Sequence, residues 1–92
     1  MKRCRITLTQ NEGCDPELAE RVRAWMRTHP LVKEVELVPV SGHHYYAIHI
    51  NGTPEPVPGV VLAEEDLNDP EVLIQTLEAA YIVYDHEVGA VD

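Results

Sequence analysis

The first residues of the chain alternate between hydrophobic and polar side chains. Cys4, Ile6 and Leu8 share one face of the segment from Arg3 to Thr9, and charged or polar side chains occupy the other face. A period of two is typical of a strand that is buried on one side only. We therefore predict a half-buried strand over residues 3–9 and a polar loop over residues 10–14.

The pattern then changes to the period of a helix. Asp15 is a favourable N-cap residue, Pro16 fits the first helical position, and Glu17 is stabilised by the helix dipole. The apolar stripe of this helix consists of Leu18, Val22, Trp25 and Met26. The helix should end near Thr28, because the residue before the following proline avoids the helical conformation.

Alternation returns after the first helix. We predict strands over residues 31–40 and 43–51, joined by a turn at Ser41-Gly42. The later strand carries Tyr46, Ile48 and Ile50 on one face, and Tyr45, Ala47 and His49 on the other. Prolines at alternate positions over residues 53–58 cannot donate ladder hydrogen bonds, so we expect an extended segment there. A short edge strand over residues 59–63 and an acidic loop over residues 64–68 should follow.

A second helix begins with the same signal as the first. Asp69, Pro70 and Glu71 repeat the cap, the proline and the acidic first turn. We predict that this helix runs to about Ala80 and that a final strand covers residues 81–88. A helix that continues to about His86 is the alternative, because the apolar spacing in that stretch fits both structures.

These elements give the order strand, helix, strand, strand, helix, strand within one domain of residues 1–92. The order resembles the α+β ferredoxin-like βαββαβ fold, in which two helices lie on one face of a four-stranded antiparallel sheet. In this chain an extended proline-rich insertion follows the third strand.

Three segments carry a closer resemblance. Gly13-Cys14 stands in the first loop, residues 29–37 (HPLVKEVEL) lead into the second strand, and residues 73–81 (LIQTLEAAY) form the second helix. They resemble the heavy-metal-associated domains of copper chaperones, which hold a soft cation through a Gly-Met-x-Cys-x-x-Cys loop. The two cysteine positions of that loop fall near Asp15 and Leu18, so we expect a shared fold and neither a bound metal nor another cofactor.

Charge is distributed unevenly along the chain. The net charge is −9, and all seven lysines and arginines lie in residues 1–33. Residues 34–92 contain twelve acidic residues and no lysine or arginine. Such a stretch either pairs with the basic N-terminal third or presents an anionic surface to solvent or to a partner. We expect a small protein-interaction module that docks on a basic protein surface.

The predicted interaction residues form two groups. The acidic group is Glu64, Glu65, Asp66, Asp69 and Glu71, and the second group is Tyr45 and His49 on the open sheet face. One form of this function is an inhibitor that occupies the nucleic-acid site of its partner, as phage anti-defence proteins do. Direct nucleic-acid binding is not expected, because a chain of this charge repels a phosphate backbone.

Other functions stay open. A small-molecule-sensing regulatory domain that pairs through its sheet is one alternative, and a metal- or thiol-binding module that uses Cys14 and the histidines is another. Whether two copies of the chain form a homodimer is also left open. No nucleophile elbow or glycine-rich phosphate loop is present, so we do not expect an enzyme.

Two cysteines, Cys4 and Cys14, are too few for a disulfide scaffold. With no apolar run of the length that a membrane span requires, this predicts free thiols and a cytoplasmic protein.

Overall fold

Five strands form one antiparallel sheet, and two α-helices cover one of its faces. In the computed structural model, which describes residues 2–89, the strands pair in the order β2-β1-β3-β4-β5. The elements are, in chain order, β1 (Cys4–Thr7), β2 (Asn11–Glu12), α1 (Pro16–Arg27), β3 (Glu34–Pro39), β4 (Tyr45–Ile50), β5 (Val61–Ala63), a 3₁₀ helix (Glu64–Asn68) and α2 (Pro70–Gly89). The limits of the predicted domain, residues 1 and 92, lie outside the described residues.

The predicted alternation is confirmed within the strands, but the first strand ends at Thr7, and Leu8, which we expected on its buried face, is 47% exposed. The buried face of the sheet consists of Cys4, Ile6, Val35, Leu37, Tyr46, Ile48, Ile50 and Leu62. Both helices pack on this face: α1 buries Ala19, Val22, Trp25 and Met26, and α2 buries Leu73, Leu77 and Ala80. We call the opposite side the open sheet face; it carries Arg3, Arg5, Glu34, Glu36, Tyr45, Ala47, His49 and Val61.

The predicted four-stranded βαββαβ order is wrong. Residues 11–12, which we expected in a loop, pair antiparallel with β1 and carry the chain back to the start of that strand. Helix α1 then brings the chain to the other end of β1, where Glu34 stands opposite Thr7. As a result β3 runs antiparallel beside β1, whereas in the ferredoxin-like order the helix alone would return the chain and those two strands would be parallel.

The prediction of a final strand over residues 81–88 is also wrong. Helix α2 continues through this stretch, because Leu77, Ala80, Tyr81 and Tyr84 follow the helical spacing and all pack on the core. The β-branched pair Ile82-Val83 did favour a strand locally. Tertiary packing of the tyrosines outweighs that preference, and the alternative of a longer helix is confirmed.

The proline-rich insertion lies against β4. Its Val57 is buried, and the Val57 N–H donates to the carbonyl of Ile48 at 2.8 Å. The expected edge strand is present as β5, which pairs with β4. The expected acidic loop is a 3₁₀ helix, whose Leu67 packs against the core.

The expectation of free thiols is wrong, because Cys4 and Cys14 form a disulfide. The close approach of the two segments requires Gly13 between them. This glycine has a positive φ of 71°, and a Cβ at its position would collide with the carbonyl oxygen of Arg3. Disulfides are typical of oxidising compartments. Among the described residues, no helix is long and apolar enough to cross a membrane.

Candidate functional site

Five carboxylates lie in one short stretch between β5 and the first turn of α2. We call them the acidic turn: Glu64, Glu65, Asp66, Asp69 and Glu71. Leu67 points towards the core, and this orients the side chains around it outwards. Glu65, Asp69 and Glu71 are exposed, whereas Glu64 and Asp66 are partly buried. The structure therefore brings this predicted group together at the surface.

One member of the acidic turn also has a local role. The Oδ1 atom of Asp69 accepts hydrogen bonds from the backbone N–H groups of Glu71 and Val72, at 3.2 and 3.3 Å. Asp15 accepts in the same way from Glu17 N–H at 2.9 Å. Both aspartates are therefore N-caps, as the sequence predicted, and the free charge of the acidic turn resides mainly in the other four residues.

The arginines that could neutralise the acidic turn are engaged elsewhere. On α1, Arg21 pairs with Glu17, and both Arg23 and Arg27 pair with Glu20. The remaining lysine and arginine contacts to carboxylates are Arg3 with Glu36 and Arg5 with Glu34, on the open sheet face. Within residues 2–89, no lysine or arginine forms an ion pair with the acidic turn.

Within residues 2–89, histidine is the one basic residue type that lies within ion-pair distance of the acidic turn. His44 Nδ1 lies 3.5 Å from a carboxylate oxygen of Glu64, and the carbonyl of His44 accepts from the N–H of Glu64 at 2.9 Å. A shallow concavity of about 550 Å³ is lined by these two residues with Glu65 and Asn68. His44 thus links the acidic turn to the strand that carries Tyr45.

Tyr45 and His49 lie on the open sheet face, as predicted. Tyr45 stands opposite Ala63 of β5, and its ring lies 4.9 Å from that of His43. His49 stands opposite Glu36, with Nδ1 2.9 Å from the carbonyl oxygen of Thr53.

Comparison with protein-family models, with curated proteins and with solved structures finds no match for this chain. Among the described residues, no group of three histidine, cysteine, aspartate or glutamate side chains is placed to hold a metal ion. The resemblance to heavy-metal-associated domains therefore extends to the α+β architecture and no further.

A cleft near the acidic turn was not predicted. It has a volume of about 410 Å³ and opens between the start of α1 and the 3₁₀ helix, above the ends of β1, β3 and β4. Tyr46 lines it and is only 6% exposed. Burial, and secondarily the charge of Glu64, raise the pKa of the Tyr46 hydroxyl above its ordinary value. Because alternation assigns Tyr46 to the core, its polar end gave no signal in the sequence.

A second unpredicted cluster joins the two helices. Trp25 Nε1 donates to a carboxylate oxygen of Glu78 at 2.6 Å, and His29 Nε2 lies 2.9 Å from the same oxygen. The His29 ring stacks on Trp25 and meets the edge of Tyr81, both at 4.6 Å. The sequence marked His29 only as the end of the first helix. These contacts show that His29 packs between the two helices.

Proposed function

We propose that this protein is a protein-interaction module whose acidic turn docks on a basic protein surface. The observation that carries the proposal is the absence of lysine or arginine partners for that turn within residues 2–89. Carboxylates that have no internal partner are free to pair with cations of another molecule. Their field also speeds the approach of a positively charged partner.

Two other parts of the surface support the choice of this end of the molecule. The carboxylates of α1 and of the open sheet face are already paired with arginines. A basic partner would have to break those ion pairs, whereas within residues 2–89 no ion pair with lysine or arginine has to be broken at the acidic turn. The inhibitor of a nucleic-acid-binding protein remains one form of this function, since such proteins carry a basic surface.

The experiment uses two variants that lose the same charge. The acidic-turn variant carries Glu64→Gln, Glu65→Gln and Asp66→Asn. The control variant carries Glu55→Gln, Asp85→Asn and Glu87→Gln, which are exposed residues elsewhere in the chain. Glu71 and Glu87 lie about 24 Å apart along the axis of helix α2, which rises 1.5 Å per residue.

Decalysine is the probe, titrated at low salt and at 0.5 M salt while backbone amide shifts are followed by NMR. We expect shifts centred on residues 64–71 in the natural chain, weaker binding in the acidic-turn variant, and a smaller loss in the control variant. Equal weakening in both variants would show a general charge effect and would contradict the proposal. A single-stranded oligonucleotide should cause no shifts, because Arg3 and Arg5 are already paired.

The location of the protein stays a prediction as well. A cytoplasmic protein was expected from the cysteine count, but the disulfide between Cys4 and Cys14 favours an oxidising compartment. The proposal does not depend on that choice, because the pairing of carboxylates with a basic surface is the same in both compartments.

A further inference from the structure

The cleft beside the acidic turn is large enough for a side chain, and it offers both apolar and polar surface. Its volume of about 410 Å³ lies within the range of small-ligand sites. Leu18 and Leu67, which are partly buried, supply apolar surface, and the partly buried Cys14 of the disulfide adds to it. Glu64 and Asn68 supply polar groups from the 3₁₀ helix. A flexible chain with a polar end would find both kinds of surface here.

The hydroxyl of Tyr46 is a polar group of this cleft that has no hydrogen-bond partner among the described residues. Tyr46 is 6% exposed, and no hydrogen bond joins its hydroxyl to another described residue. In the described residues, every side-chain nitrogen or oxygen that solvent cannot reach has a hydrogen-bond partner. The hydroxyl of Tyr46 has none, so it must be accessible from the cleft that Tyr46 lines. A hydroxyl that is open to the cleft can exchange its hydrogen bond to water for one to a polar ligand that enters.

The carboxylates that line the cleft outnumber its lysine and arginine by three to two. Its carboxylates are those of Asp15, Glu17 and Glu64, and its cations are Lys2 and Arg21. Arg21 is held by Glu17 at 3.4 Å, which leaves Lys2 as the cation without a carboxylate partner among the described residues. The charge of Glu64 acts on the Tyr46 hydroxyl, although no hydrogen bond joins the two groups. A ligand group between them would therefore meet one carboxylate and one hydroxyl.

We propose that this cleft receives an arginine side chain of the basic partner, between Glu64 and the hydroxyl of Tyr46. The inference rests on the proposed function, and it names the anchor residue of that partner. A planar guanidinium has donors for both the carboxylate and the hydroxyl at once. Its aliphatic stem would cover the leucines, as arginine stems do on apolar surfaces.

The probe is N-acetyl-argininamide, which has a single positive charge and cannot span the acidic turn. We expect millimolar binding, with NMR shifts at Tyr46, Leu18 and Leu67. Tyr46→Phe removes only the hydroxyl and should raise the Kd about three- to tenfold. Glu64→Gln should raise it similarly, and Glu87→Gln, an exposed residue near the far end of α2, is the matched control with an unchanged Kd. Lys2→Gln should lower the Kd, because it removes the cation of the cleft that has no carboxylate partner among the described residues.

Each further outcome bears on one proposal only. Decalysine shifts at residues 64–71 without any argininamide shifts in the cleft would overturn the arginine pocket and leave the proposed function intact. Argininamide binding in the cleft without decalysine binding would support the pocket as a cation site and overturn the docking role of the acidic turn. N-acetyl-lysinamide binding as tightly as the arginine probe, or N-acetylglycine binding that Lys2→Gln weakens, would overturn the choice of arginine.

Discussion

Asn51 shows how much one polar residue holds together at the residue scale. Its backbone is in the left-handed region, with φ of 56°. The side-chain oxygen accepts from the N–H groups of Lys33 and Glu34, at 2.6 and 3.2 Å. The side-chain nitrogen donates to the carbonyl of Leu31 and to the hydroxyl of Tyr84, at 3.0 and 3.1 Å. One amide thus connects the end of β4 to the start of β3 and to α2.

Substitution of Asn51 separates its two roles. Asn51→Gly permits the same backbone conformation but removes four side-chain hydrogen bonds, and we expect a loss of about 2 kcal/mol in unfolding free energy. Asn51→Ala should cost about 1 kcal/mol more, because its Cβ disfavours a positive φ. Urea denaturation measures both values. Asn68→Ala is the control and should stay within about 0.5 kcal/mol of the natural chain; equal losses at the two sites would contradict the role of Asn51.

Tyr46 provides a titration that reports on its surroundings. Burial, and secondarily Glu64, raise the pKa of Tyr46 in the folded protein above its unfolded value of about 10. The contribution of Tyr46 to the unfolding free energy is therefore fully present below about pH 10, and it is lost as the pH rises through the folded pKa. We expect the Tyr46 ring resonance to titrate above the ordinary tyrosine pKa of about 10 in NMR spectra. Glu64→Gln should lower the Tyr46 pKa, and no change in that variant would contradict the proximity of the two groups.

At the scale of elements, the disulfide ties β1 to the start of α1. The cross-link joins residues ten positions apart, and loop closure of that size contributes about 2–3 kcal/mol. We expect reduction with a dithiol to lower the urea midpoint by the corresponding amount. The variant that carries Cys4→Ala and Cys14→Ser should be insensitive to the reductant. An identical midpoint for the oxidised and reduced natural chain would contradict a stabilising disulfide.

The elements also show which parts of the fold can be predicted from the sequence. Helix α1 and the β3–β4 hairpin follow from signals that lie within them, such as the cap at Asp15 and the alternation around Ile48. Strand β2 has only two residues, and its pairing depends on Arg5 and Ile6 of another strand. The disulfide likewise depends on a close approach at Gly13. Contacts between distant segments leave no periodic pattern, so these features could not be predicted.

The candidate site divides in the same way. A run of carboxylates with no basic neighbour in sequence predicts the exposed acidic turn. The sequence does not reveal that Arg21 and Arg23 pair within α1 instead of with that turn. It also cannot reveal the cleft, because hydrophobic alternation describes where Tyr46 lies but not where its hydroxyl points.

At the scale of the whole molecule, the acidic turn should cost stability rather than supply it. Its carboxylates repel one another, and the single histidine contact with Glu64 is exposed to solvent. We expect the acidic-turn variant to unfold at the same or a higher urea concentration than the natural chain. The difference should shrink at 0.5 M salt, where charges are screened. A loss of more than about 1 kcal/mol would show that these acids are structural.

The sheet order has a consequence for the speed of folding. Every pair of neighbouring strands is adjacent along the chain except β1 and β3, which α1 and β2 separate. Hairpins close quickly, whereas bringing together distant strands costs loop entropy before any contact repays it. The encounter of β1 with β3 is therefore the step that should limit refolding. Changes at Ile6 and Val35, which face each other across that pairing, should slow folding more than they speed unfolding.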